Sequence, residues 1–264
     1  MTHIRMRMAN KGKGSFRAEA NVIYLYDVIA SDEEEAMWWG GIAPAEFIAT
    51  LKACTGPVTL RINSPGGSVF GAQAMVVAMR EYPHAITAQV DSLAASAASV
   101  IAAECASCVM VPGSMLMIHK AWGLVVGNED DLRQTADLLA KIDTQIAGSY
   151  ARRSEGEAAT FLDLMRAETW FTPEEAVAAG LADSVKDENT QRPKAQWDLS
   201  AFLRAPAAAV EPEPEPVAPV ATEPQPAPVA PVAQPEPEKP AADPQEARAR
   251  RQRMLAARLA ASPI

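Results

Sequence analysis

The stretch Gln89-Val90-Asp91-Ser92-Leu93-Ala94-Ala95-Ser96-Ala97-Ala98-Ser99-Val100-Ile101-Ala102-Ala103-Glu104-Cys105, running on to Met115-Leu116-Met117-Ile118-His119-Lys120, decides how this chain is read. Residues 85–90 read as a short buried strand, and the Ala-rich residues 94–104 as a helix. The chain must turn between them, so Ser96 falls near the helix start. Backbone N–H groups there lack intrahelical partners and the dipole is positive. A nucleophile needs such donors for its oxyanion. Residues 109–112 and 114–120 read as strands, the second ending in Ile118-His119. A histidine closing an apolar strand can be turned toward such a serine. A plainer reading fits the same residues. Small side chains let a helix pack closely on a sheet, Ser96 and Ser99 can bond to carbonyls one turn back, and His119 can be a satisfied core histidine.

Composition narrows the classes. Apolar residues make up 48% of the 264, enough for a real core, and the net charge of −9 argues against a dominant nucleic-acid surface. No stretch is long and apolar enough to span a membrane. Residues 1–11 are basic but lack the apolar core of a signal peptide. Residues 1–19 are therefore expected to be a flexible arm of a cytoplasmic protein. The chain has three cysteines. Cys105 and Cys108 match C-x-x-C, but no second Cys or His pair completes a zinc site. A redox pair usually opens a helix, whereas this one closes a helix and enters a strand. Buried, inert thiols are expected, with no metal and no cofactor.

Residues 21–29 alternate as a strand, followed by an acidic loop at 31–35. Trp38-Trp39-Gly40-Gly41 reads as a docking or hinge segment, although two adjacent Trp more often pack than bind. Residues 43–53 form a helix with Pro44 in its first turn, and 58–62 a strand. Asn63-Ser64-Pro65-Gly66-Gly67 then breaks the chain, its glycines permitting positive φ and close backbone approach. No G-K-[ST] follows, so this is not a phosphate loop. Residues 68–81 are an amphipathic helix, and His84 lies in a polar connection. From Asn128 a long helix begins with acids in its first turn. Its apolar stripe is Leu132, Ala136, Leu139, Ile142, Ile146 and Tyr150. A second helix covers 157–166. Thr172-Pro173-Glu174-Glu175 has capping-box spacing, opening a short helix that Gly180 can end, with a last strand at 181–185.

The domain is expected to span 20–192. Residues 193–244 read as a disordered linker rich in Pro, Ala and Glu. Residues 205–244 alone hold thirteen of the 21 prolines, which cannot bury a core. Residues 245–264 form a basic tail with some helical propensity.

Taken in order, Ile62-Asn63-Ser64-Pro65-Gly66-Gly67, Leu93-Ala94-Ala95-Ser96-Ala97-Ala98, Met117-Ile118-His119 and Glu174-Glu175-Ala176-Val177 with Gly180-Leu181-Ala182-Asp183 resemble the ClpP family of serine peptidases. They are closest in character to its phage-type branch, the ClpP-related head maturation (prohead) proteases. The resemblance covers roughly 20–187. It implies an α/β fold, the ClpP/crotonase-like spiral of repeated β-β-α units, with Ser96 as nucleophile and His119 as general base. It implies an oxyanion hole from the backbone N–H groups of Gly67 and Ala97. The third member falls on Glu168, where the best-known members carry Asp; Asp163 is the fallback. Ser92 replaces a glycine usual in the segment. The resemblance further implies self-association into rings, two stacked through the helix after Asn128, and protein substrates such as capsid or scaffold proteins. No ATPase motif is present, so any unfoldase is a separate chain. Three other readings stay open: a housekeeping-type Clp proteolytic subunit working with a separate ATPase unfoldase, a crotonase-type acyl-CoA enzyme, against which the Ser96–His119 pair argues, and a non-catalytic capsid assembly protein.

Overall fold

A computed structural model describes residues 2–187 and 197–206. The basic tail, and residues 193–196 and 207–244 of the expected proline-rich linker, lie outside the described residues. The elements run α1 (Thr2–Asn10), β1 (Ser15–Glu19), β2 (Val22–Tyr26), α2 (Glu33–Trp39), α3 (Pro44–Ala53), β3 (Val58–Ser64), α4 (Val69–Glu81), β4 (Ile86–Ala95) and α5 (Ala97–Ala103). They continue with β5 (Ser107–Met110), β6 (Met115–Ile118), α6 (Glu129–Ser154), α7 (Ala158–Arg166), β7 (Thr169–Phe171), α8 (Pro173–Ala178) and β8 (Ser184–Val185). The sheet runs β1-β2-β3-β4-β5-β8, parallel from β2 onward, with β6 and β7 branching from β4.

The expected helix at 94–104 starts three residues later. β4 runs on through Ala95 because it changes partner: Thr87–Val90 pair with β5, whereas Leu93–Ala95 pair with β6. Ladder bonds outweigh the helix propensity of Ala94 and Ala95. The switch is accompanied by a register shift against β3 between Ile62 and Ser64. Asp91 sits fully buried at this bend. It accepts from Arg61 Nε at 2.7 Å and Nη2 at 2.9 Å, from Gln89 Nε2 at 2.7 Å, and from the Tyr26 hydroxyl. Four donors on one carboxylate leave no orphan group where the strand leaves one neighbour for the next.

The main core lies between the sheet and its helices, with Ile23, Leu60, Ile62, Met75, Val90, Ile101 and Tyr150 fully covered. A second apolar cluster gathers Met6, Val28, Leu93, Ala95, Met117, Trp197, Leu199, Ala201 and Phe202. It corrects two sequence expectations. Residues 1–19 are not a loose arm: Met6 is buried, β1 pairs antiparallel with β2, and the Arg17 guanidinium lies 3.5 Å from the Tyr24 ring centre. The linker does not begin at 193, because Trp197, Leu199 and Phe202 are buried. On α2, Trp38 and Trp39 are 63% and 42% exposed, so of the two readings of that pair the packing one does not hold. Among the described residues, no helix is long and apolar enough to cross a membrane.

α6 starts as its sequence dictates, with the Asn128 side chain and Asp131 completing a capping box. Its stripe is only half used. Ile142, Ile146 and Tyr150 are buried, but Leu132 stands about half exposed and Ala136 is exposed, so the first turns project from the domain.

Candidate active site

Ser96 stands alone between β4 and α5, with φ 55° and ψ −125°. An L-residue at positive φ is strained, and here the surroundings hold it there. Its N–H donates to Met117 O at 2.9 Å, and its carbonyl accepts from Ser99 N at 2.9 Å and Ser99 Oγ at 2.6 Å. The side chain thereby leaves the sheet edge, and its Oγ lies 2.7 Å from His119 Nε2. His119 follows the last residue of β6. Because β6 pairs directly with the end of β4, the two side chains meet across adjacent strands.

The two residues after His119 are clamped by Asp143 on α6. Its buried carboxylate accepts from Ala121 N at 2.7 Å and pairs with Lys120 Nζ at 3.0 Å. Sequence reasoning missed this residue. The available signal was an acid directly beside Ile142 in the apolar stripe.

The Pro65-Gly66-Gly67 turn packs against Ser96. A Cβ on Gly66 would fall 2.5 Å from Ala95 O, 2.8 Å from Ser96 Cβ and 2.9 Å from Ala97 N, so only glycine admits this approach. Ser64 Oγ steadies the turn, donating to Asp27 O at 2.6 Å and accepting from Gly66 N at 3.1 Å. Gly67 forms a parallel bridge with Ile29, in which Ile29 N bonds Gly66 O and Ser68 N bonds Ile29 O, each at 2.8 Å. Such a bridge uses the groups flanking Gly67. Gly67's own N–H therefore points away from Ile29. Ala97 N is the first N–H of α5 and has no intrahelical acceptor. A cavity of about 330 Å³ opens here, lined by Gly67, Phe70, Ser96, His119, Trp122 and Leu138 among others.

The remaining expected residues are placed as follows. Glu168, at φ 48° between α7 and β7, accepts from Leu203 N at 2.9 Å and Arg204 N at 2.6 Å, with Trp170 Nε1 at 3.3 Å. Asp163 pairs with Arg166 and its side chain is 74% exposed, which turns it toward solvent. Ser99 is buried and shares a 2.8 Å hydrogen bond with the Tyr150 hydroxyl. His84 is exposed beside Tyr82. Cys105 and Cys108 are buried and unpaired with each other; burial raises both thiols, that of Cys108 to about 12, so neither is a thiolate at neutral pH.

Residues 46–189 match the Clp protease family. The chain belongs to that family. It is therefore of the serine peptidase type, on an α/β fold of the ClpP kind. Among similar proteins is an ATP-dependent Clp protease proteolytic subunit of Leuconostoc citreum, 28% identical over 170 residues, covering 63% of this chain and 84% of that protein. One from Deinococcus radiodurans is 27% identical over 136 residues, covering 51% and 67%. The proteolytic subunit 1 of Protochlamydia amoebophila is 31% identical over 134 residues, covering 49% and 65%. The family match leaves out α1, β1, β2, α2 and residues 197–206.

Proposed function

We propose that the chain is a serine endopeptidase whose chemistry is carried by Ser96 and His119. The observation behind this is the 2.7 Å contact between Ser96 Oγ and His119 Nε2 on a strained turn. A serine hydroxyl is a weak nucleophile until an adjacent base takes its proton. In the proposed cycle, Oγ attacks the substrate carbonyl carbon while its proton passes to His119 Nε2. The carbonyl oxygen becomes an oxyanion facing the N–H groups of Gly67 and Ala97. The C–N bond then breaks and His119 returns the proton to the leaving amine. Water, deprotonated by the same imidazole, attacks the acyl-serine and releases the second product. Glu168 is the acid of the set. That assignment rests on the motif likeness and on Asp163 being turned outward and paired with Arg166; Glu168 itself accepts hydrogen bonds from Leu203 N, Arg204 N and Trp170 Nε1.

The proposed setting is phage head maturation, with capsid or scaffold proteins as substrates. It rests on the likeness of the four motifs to the phage-type branch. A second reading is a proteolytic subunit served by a separate ATPase, favoured by the names of the relatives above. Under either, self-association into rings gives the half-exposed stripe of α6 a partner. Fluorophosphonate labelling of the full chain, followed by mapping of the modified serine, tests the chemistry. Modification at Ser96 is expected; modification at Ser99 alone, or none, refutes the assignment. Substrate hydrolysis that requires added ATPase and ATP decides for the second setting.

A further inference from the structure

The segment 197–206 lies beyond the family match, yet its Phe202 lines the cavity that holds Ser96 and His119. Phe202 is buried, and its ring meets the His119 imidazole edge-on, with centres 5.4 Å apart and planes at 86°. It also meets the Trp170 ring at 5.9 Å and 76°. Both separations suit edge-to-face aromatic contact. Elsewhere the segment is fastened to parts of the chain that frame the site. Trp197 Nε1 donates to Asn63 Oδ1 at 2.9 Å, just ahead of the Pro65-Gly66-Gly67 turn. The Asn10 side chain donates to Asp198 O at 2.9 Å and accepts from Asp198 N at 2.7 Å. Leu199 and Ala201 join the cluster containing Ala95 and Met117, which precede Ser96 by one residue and His119 by two. At the far end, Leu203 N and Arg204 N donate to the Glu168 carboxylate at 2.9 and 2.6 Å.

We infer that residues 197–206 form a positioning strap for His119, in which Phe202 restrains rotation of the imidazole and Glu168 holds the strap's end. A histidine at the tip of a strand keeps its χ freedom unless neighbours remove it. A serine–imidazole pair works only within a narrow range of orientations. Phe202 supplies a wall on the ring, and the anchors keep that wall in place. This inference rests on Ser96 and His119 being the catalytic pair; because Phe202 also lines the cavity at Ser96, KM against labelling rate separates its hold on His119 from direct contact with substrate.

The test uses the full chain and two readouts. The chain has three histidines, so imidazole ¹H–¹⁵N signals of His119 can be assigned by their loss in His119→Gln. In Phe202→Ala these signals should broaden or split, and fluorophosphonate labelling of Ser96 should slow by about 10²-fold, with peptide KM changed less than about threefold. Phe202→Leu, which keeps most of the volume without the ring, should lie between, about tenfold slow. A merely structural role would lower stability but leave the labelling rate per folded molecule unchanged. Sharp His119 signals and wild-type labelling in Phe202→Ala overturn the inference; if that variant fails to fold, the same result in Phe202→Leu does so. Disturbed His119 signals in a protein that fluorophosphonate never labels uphold the strap and refute the catalytic reading.

Discussion

Gly66→Ala puts the new methyl into the tightest contact around Ser96. The backbone there has φ +89°, which costs an L-residue about 1–2 kcal/mol. The added Cβ would lie 2.5 Å from Ala95 O and 2.8 Å from Ser96 Cβ. Ordinary contact is about 3.5 Å, so turn and serine must separate by roughly 1 Å. Such overpacking costs a further 1–3 kcal/mol or so, giving a total destabilisation of about 2–5 kcal/mol. A shift of that size between the proposed nucleophile and the Gly67 N–H should lower kcat/KM by about 10²–10³-fold. Urea unfolding measures the first figure, and hydrolysis of a small peptide ester together with fluorophosphonate labelling the second. Gly148→Ala is the control, since its Cβ would meet only Arg152 Nη1 at 3.7 Å and it does not line the cavity. If Gly66→Ala hydrolyses as fast as Gly148→Ala, the turn is not part of the catalytic geometry. If it loses activity without any loss of stability, the strain argument is wrong.

Ser99→Ala should lose about 1–3 kcal/mol in urea unfolding, because the buried Tyr150 hydroxyl loses its partner, and should slow labelling only modestly, because Ser96 O loses the Ser99 Oγ bond but keeps that from Ser99 N; a labelling rate like that of Ser96→Ala would move the nucleophile one turn along. Asp91→Ala strips the partner from Arg61 at the strand switch and should cost about 3–5 kcal/mol; a change below 1 kcal/mol or so in urea unfolding would show that the network does not hold the bend. Burial raises the Glu104 carboxyl, but hydrogen bonding from Ser149 and the guanidinium groups of Arg80 and Arg152 outweigh it and leave the group below its ordinary value. A depressed folded-state carboxyl contributes stability above its unfolded pKa and loses it as pH falls through the folded value. Glu104→Gln should therefore show a smaller loss of stability than wild type on acidification through and below the usual carboxylate range, the difference being about 1 kcal/mol or less for these half-exposed arginines; parallel stability–pH curves would refute this.

The parts legible in the sequence are those set by local pattern. Apolar alternation gave β2 and β3, the Asn128 and Thr172 caps gave the starts of α6 and α8, and the small residues around Ser96 marked a sharp strand-to-helix turn. His119 stood out because it closes an apolar run. What escaped depends on contacts between distant residues. The extension of β4 to Ala95 follows from β6, not from Ala94 or Ala95 themselves. Asp143 looks like one more acid on a helix until Lys120 and Ala121 fold onto it. Trp197, Leu199 and Phe202 are three apolar residues beside a proline-rich stretch, and only Met6, Leu93 and Met117 give them a surface to bury against. The Trp38-Trp39 pair left packing and docking both open in the sequence, and α2 buries none of its residues.

The bond between Asn10 and Asp198 closes a loop of 188 residues. A ribosome delivers Met6 and Asn10 long before their partners in residues 197–202. During that interval the sheet can form and Ser96 can reach His119, while Leu93, Ala95 and Met117 still face water on the strap side. The second apolar cluster thus acts as a clock in synthesis: the sheet is ready early, and the site receives its final support only when the chain end of the domain has emerged.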